Sequence, residues 1–483
     1  MSLHRRNPYP GLILVALIPA LLLGGLWQLA FHLQPPALHV PLVGSTPPVA
    51  PAVMRTPLLS VRRAPAVLSN DSNLAKLQAS LTTLTDSIDD TSCIEVALNG
   101  TKLAAKHEDM PLRPAGNVQL VIAAVALEVL GPDYGFTTSV QANVGPDGIV
   151  AGNLYLVGGG DPLLSNFWWT GPNPAYPPTS LTIIEKLADS VVAAGVRAIK
   201  GNIVGDASRY DDELYPATWT KAARFVLGGP IAGLVVNDSH PTPFSSATDP
   251  AQGAADVLRN LLRERGVLLD GLAVSGKAAS TTVVASIKSN PLPKIITEML
   301  TTDDNNTAEM LLKELAIAKG ATGTRANGLA VVDATLRQWV IPMEGVKIVD
   351  GSGVSDDNRM TCAAIIAVLK RSPVTGVLGQ AMPIGGQAGG TLSGVFGKGP
   401  LHGVIRAKTG ALANYEDGIL GNPGAKALSG YIPVEGGGLI QFSMLLNGQL
   451  ITEPESYTPI WDLLGSVLGD YVAAPSSIDL APR

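Results

Sequence analysis

The sequence predicts an α+β (or mixed α/β) fold, a mixed sheet flanked by helices, standing behind an N-terminal transmembrane helix. Three observations lead there. Strand-like and helix-like segments interleave without strict alternation, which disfavours a doubly wound sheet. No repeat of fixed period occurs. A single apolar run near the start is long enough to cross a bilayer, and no second one follows. The 483 residues are 46% hydrophobic and only 15% charged, with a net charge of −6. That length and apolar content supply a large core and exclude global disorder. A weakly acidic chain without a basic tract argues against nucleic acid as a partner. Two cysteines exclude a disulfide scaffold and any multi-cysteine metal centre.

The chain opens with Met1–Pro10, which carries Arg5 and Arg6, followed by the uncharged run Gly11–Leu33. As a helix those 23 residues would span ~34 Å, enough for a ~30 Å hydrocarbon core. The two arginines place the first ten residues in the cytoplasm and the rest outside, at the cell membrane. A cleaved signal peptide is the rival reading; the length of the run and the lack of an A-x-A site favour an uncleaved anchor. Residues 34–68 form a linker, with eight prolines between Gln34 and Ala66, an extended spacer rather than a packed segment.

From there the elements follow in order. Asn70–Ile88 is helical, with Leu74, Leu77, Leu81 and Leu84 on one stripe. Cys93–Leu98 is a strand, and Asn99-Gly100 signals a hairpin. Gly116–Leu130 is a buried helix. Asn153–Val157 is a strand entering the turn Gly158–Pro162. Ser180–Gly195 is a helix, Ala198–Asp206 a strand, and Gly253–Arg265 and Asn305–Lys319 are helices. Gly403–Lys408 and Leu439–Leu446 are strands. Cys93 and Cys362 read as two separate buried thiols, although a disulfide is open to them outside the cytoplasm.

Several signatures fail. Gly158–Asp161 and Gly385–Gly399 lack the Gly-Lys-Ser/Thr of a phosphate loop. No H-E-x-x-H occurs, so no metal or other cofactor is expected. The tripeptide Lys408-Thr409-Gly410 survives. At the end of a strand it resembles the Lys-Thr-Gly of penicillin-recognising enzymes, which offers a cation and a hydroxyl to a substrate carboxylate, with a glycine that permits close approach.

Further blocks fall in order around it: Met110–Gly131, Gly152–Leu164, Gly201–Asp211, Leu234–Ser239, Asp303–Ala316, Asp350–Thr361, Gly389–Leu392 and Ile405–Leu412. Together they resemble the class C low-molecular-mass penicillin-binding proteins, the D-alanyl-D-alanine carboxypeptidase/endopeptidase family, over most of the chain from about Asn70. The resemblance implies a penicillin-binding/β-lactamase-like fold split as 69–138 and 291–475, with an inserted domain over 139–290. It places Trp168, Trp169 and Trp219 in the insert, as aromatic contacts or as packing. It also implies a role in peptidoglycan metabolism, with stem peptides or a cell-wall protein as partners.

The family's S-x-x-K motif supplies a serine nucleophile and a lysine base. Here the matching positions are Gly116 and Gln119, after Pro114-Ala115. Its S-x-N motif is matched by Asp303-Asp304-Asn305. Asp303 replaces a proton-relaying serine, and Asn305 resembles the ligand of the substrate amide. Lys408, Thr409 and Gly410 complete the substrate-binding set. No displaced S-x-x-K exists; Thr218 and Lys221 have the spacing but lie in an unmatched stretch. Ser352 and Ser355 sit in a block whose role in the family is structural. Loss of a nucleophile costs on the order of 10⁶ in kcat in a serine protease. Loss of a base costs about 10²–10⁴. The expectation is a catalytically silent member in which Asp303 pairs with Lys408. An active serine-type DD-carboxypeptidase with a non-standard site and a scaffold without a ligand are the alternatives.

Overall fold

The computed structural model describes residues 64–171, 175–240, 247–413, 424–434 and 438–474. The apolar run 11–33, the ten residues expected to form a cytoplasmic tip and nearly all of the linker lie outside the described residues. Among those residues, no helix is long and apolar enough to cross a membrane.

A five-stranded sheet organises the molecule, with strand order 406–412, 424–434, 438–448, 93–98, 101–106. Every pairing in it is antiparallel, so the parallel pairs expected of a mixed sheet lie elsewhere. Side chains alternate between its two faces, as strand geometry requires. Ile94, Val96, Leu428, Ile432, Ile440, Phe442 and Met444 pack with the helices Ala64–Asp86 and Pro454–Val472. Cys93, Ala427, Tyr431 and Leu445 face a helical layer built around Val118–Leu130. That helix is buried over Val118–Ala126, as its all-round apolar sequence requires. Around it lie Leu292–Thr302, Asn305–Ala318, Arg325–Gln338 and Cys362–Arg371.

Residues 137–288 build a second, mixed sheet in the order 273–275, 203–206, 154–157, 137–141, 283–288. The first three strands are parallel and the last two pairings antiparallel. The helices Ile184–Ala193 and Pro250–Glu264 bury Leu187, Val191, Leu258 and Leu262 in its own apolar cluster.

Several expectations are corrected. Cys93 and Cys362 are not separate thiols: they form a disulfide, with Cα atoms 6.1 Å apart and a sequence separation of 269. Burial was read correctly, but the adjacency of strand and helix that brings the two together is tertiary. The first helix begins at Ala64, inside the residues assigned to the linker. The Lys-Thr-Gly tripeptide lies in the middle of a strand, Arg406–Leu412, not at its end. The stretch 198–206 is two short strands that join different sheets. The strand Gly424–Val434 and the helices after Ala318 were not anticipated.

Candidate functional site

The site forms where the Arg406–Leu412 strand meets the start of the Val118–Leu130 helix. A single 3₁₀ turn, Ala115–Asn117, precedes that helix. Ala115 has φ = 46°, a left-handed conformation that a side chain adopts only at a cost. Two glycines hold this turn. A Cβ on Gly353 would lie 1.9 Å from the Ala115 carbonyl oxygen, and one on Gly410 would lie 2.7 Å from the Gly116 nitrogen. Gly410 therefore seats the strand against the turn, rather than leaving room for a substrate backbone. Beneath it, the Asp350–Ser355 block is organised by two buried carboxylates. Glu309 accepts from the Gly351 and Ser352 amides and the Ser352 hydroxyl. Asp350 accepts from the Gly353 and Ser355 amides and from Trp219 Nε1. Burial, then the neighbouring Glu309, pushes Asp350 up to about 6. Ser352 and Ser355 thus support the turn, and Trp219 is core, 3% exposed.

The structure brings the sequence-predicted residues together. Asp303 occupies a left-handed position at the end of one helix, just before Asp304 caps the next by accepting from the Thr307 amide. The Asp303 carboxylate accepts from Lys408 Nζ at 2.5 Å and from Gln119 Nε2 at 3.0 Å. Lys408 is fully buried and also donates to the Thr409 carbonyl. A Cβ on Gly116 would lie 2.7 Å from Asp303 Oδ1 and 3.1 Å from Lys408 Nζ. The carboxylate thus fills the space beside the side chain that Gly116 lacks. Gln119 also donates to Asn305 Oδ1, and Asn305 Nδ2 donates to the Leu227 carbonyl. Both ends of the Asn305 amide are engaged within the protein. The Thr409 hydroxyl is paired with that of Thr391 at 2.8 Å. Thr218 and Lys221 flank Thr220, which caps the short helix Lys221–Val226.

Sequence reasoning missed what covers the site. Leu227 packs against Ala115, Leu412 and Ala425. The Gly229 amide donates to Asn306 Oδ1, so residues 227–229 fasten onto the Asn305–Asn306 helix start. Beside this strap opens a cleft of about 1120 Å³, floored by Asp303–Asn306 and reached by Trp168, Trp169, Tyr215 and Arg224. Lys408 and Gly410 do not reach its surface. The Leu234–Ser239 block was legible as a match but not as a geometry. Its residues Asn237, Asp238 and Ser239 have φ of 54°, 51° and 66° in succession. Burial, then the Asp304 carboxylate, raises Asp238 well above the usual carboxylate range.

With this geometry in view, three comparisons are informative. The profile of the D-Ala-D-Ala carboxypeptidase 3 (S13) family matches residues 74–243 and 229–460. The chain is similar to a D-alanyl-D-alanine carboxypeptidase of an Actinomadura species, 26% identical over 434 residues, covering 72% of this chain and 76% of the relative. It is similar to the carboxypeptidase DacB of Mycolicibacterium smegmatis, 29% identical over 401 residues, covering 78% and 80%. The crystal structure of penicillin binding protein 4 from Haemophilus influenzae superposes with a TM-score of 0.66 at 18% identity, covering 80% of this chain and 99% of that one. That last likeness concerns the fold.

Proposed function

The chain belongs to the D-Ala-D-Ala carboxypeptidase 3 (S13) family, and from that premise we propose that it is a catalytically silent member that binds cell-wall stem peptides rather than cleaving them. The carrying observation is the occupation of the nucleophile's place. Gly116 offers no hydroxyl, and the space its side chain would need holds the Asp303 carboxylate, paired to Lys408. Gln119 stands at the base position, and its amide cannot take a proton. An acyl-enzyme has no oxygen on which to form. Non-covalent engagement would use the open cleft beside Asn305, since Lys408 is buried and Thr409 nearly so.

The proposal extends to location. The apolar run 11–33 tethers the protein to the membrane, with the globular part outside the cytoplasm. The Cys93–Cys362 disulfide supports this, because such bonds persist in oxidising compartments. The alternatives of an active enzyme with a non-standard site and of a ligand-free scaffold are both testable. The purified protein is incubated with a fluorescent penicillin and with a peptide ending in D-Ala-D-Ala. We expect neither labelling nor D-Ala release, and saturable binding of the peptide. Labelling or release would sink the silent reading; absence of binding would favour the scaffold. The triple variant Gly116→Ser, Gln119→Lys, Asp303→Ser is expected to regain labelling.

A further inference from the structure

The strap over the site is an arch fixed at both feet and held lightly between them. At one foot Trp219 is buried and donates from Nε1 to Asp350. At the other, Pro230 and Ile231 are buried, and the Ile231 amide donates to the Leu214 carbonyl. Between the feet the chain rises through the six-residue helix Lys221–Val226 and returns through Gly228 and Gly229. Val226 is 61% exposed, and Lys221 and Ala222 face solvent. The helix is steadied from the first foot: Arg224 Nη2 donates to the Pro216 carbonyl at 3.5 Å, and its guanidinium lies over the Tyr215 ring.

Three contacts fasten the arch to the site. Asn305 Nδ2 donates to the Leu227 carbonyl at 2.8 Å. The Gly229 amide donates to Asn306 Oδ1 at 3.0 Å. The Leu227 side chain packs on Ala115, Leu412 and Ala425, all buried. A small cavity of about 20 Å³, lined by Val226, Leu227, Val354 and Leu412, leaves that apolar seat incompletely filled. What Leu227 presents there is itself a piece of peptide: a main-chain carbonyl taken by a side-chain amide, and an aliphatic side chain beside the Ala115 turn and the strand Arg406–Leu412. No other peptide reaches the seat while Leu227 fills it. Gly228 permits the fit, since a Cβ there would lie 2.8 Å from the Trp219 ring and 2.9 Å from Asn306 Oδ1.

We infer that residues 220–229 are an autoinhibitory strap: Leu227 holds Asn305 with its carbonyl and the seat of Ala115, Leu412 and Ala425 with its side chain, as a peptide ligand would, and the ligand gains the site by displacing it. This rests on the proposed peptide-binding reading and adds the regulation of that same site. Peptide enters through the open cleft at Asp303–Asn306, and Asn305 exchanges one carbonyl for another. That exchange is close to balanced, because one hydrogen bond replaces another. Apparent affinity is then reduced by the fraction of molecules in which the strap is raised. A strap raised in about one molecule in ten weakens binding about tenfold, and loosening it returns that factor.

The test uses the full chain in detergent and a pentapeptide ending in D-Ala-D-Ala. Hydrogen exchange over residues 220–229 is followed with and without peptide, together with trypsin cleavage after Lys221 and Arg224. In the unaltered protein, peptide should speed that exchange about threefold or more and open both tryptic sites. Leu227→Ala removes the apolar anchor, and Gly228→Ala wedges the arch away from Trp219 and Asn306. Each should speed exchange without ligand and bind the peptide about fivefold or more tightly, as read by calorimetry, with far-ultraviolet circular dichroism unchanged. Asn305→Ala should loosen the strap as well, yet bind peptide no better, because strap and ligand share that donor. If peptide binds and slows exchange in the strap, or if the loosened variants bind it no more tightly, residues 220–229 are a fixed cover and the inference is overturned while peptide binding stands. Binding by the loosened variants alone would support a strap that is almost always shut. If neither the unaltered protein nor the loosened variants bind at millimolar concentration, both readings fall together.

Discussion

Gly116 and Asp303 are one structural decision made at two positions. With a Cβ on residue 116 only 2.7 Å from Asp303 Oδ1, a serine there has no room until the carboxylate moves. Gly116→Ser alone should therefore remain unlabelled by penicillin and lose about 1–3 kcal/mol through overpacking. Adding Asp303→Ser should relieve the overpacking but leave the buried Lys408 ammonium without its carboxylate, so the double variant should stay less stable than the parent, as read by chemical denaturation. Gly116, Gln119 and Asp303 were legible in the sequence as one set because each falls inside a matched motif. Leu227 and Asp238 were not, because their roles depend on which segment of the second sheet's neighbourhood folds back over the site. A second residue-scale prediction concerns pH. Burial raises Asp161 from 3.8 to about 6, while its carboxylate still accepts from the Leu163 amide. A raised carboxyl stabilises the fold while protonated, below the unfolded value. That contribution is lost as pH rises through 6. Between pH 4 and pH 7 the native protein should lose about 2 kcal/mol relative to Asp161→Asn, measured by urea denaturation at fixed ionic strength.

At the scale of elements, local signals and tertiary ones separate cleanly. Asn305–Ala318 was predicted to within a residue because Asp304 caps it, and Asn99-Gly100 does join two strands as a hairpin. Gly424–Val434 went unread because Gly, Pro and Lys interrupt its alternation, and it becomes a central strand only through two neighbours, 406–412 and 438–448. The strand 198–206 was over-extended because its apolar pattern continues across a change of sheet. The left-handed run 237–239 is likewise invisible without coordinates, since Asn-Asp-Ser is ordinary turn sequence. Its cost can be measured. Asp238→Gly removes one left-handed side chain, worth about 1–2 kcal/mol, together with a half-buried carboxyl. It should raise the denaturation midpoint.

At the scale of the molecule, the antiparallel sheet carries helices on both faces, and the α+β class was readable from the mixture of element types. The order of strands was not, because the hairpin 93–106 joins the sheet at an edge opposite the strand that bears Lys408. The disulfide fixes this arrangement across 269 residues of sequence. In the chain-entropy account such a loop is worth about 6 kcal/mol, and typical measured losses are about 2–5. Cys93→Ser with Cys362→Ser should lower stability in that range and show it as a reduced thermal midpoint, with no change in far-ultraviolet circular dichroism at 25 °C.

The same bond has a consequence for the chain as an object that can be cut. Every residue from Ile94 to Thr361, including Gly116, Asp303 and the whole second sheet, lies on the loop it closes. A protease that nicks an exposed turn anywhere on that loop does not release a fragment. The two pieces stay covalently joined and migrate as one band until a reductant is added. In a compartment that lacks reductant, one such cut would leave the N-terminal and C-terminal parts of the protein together.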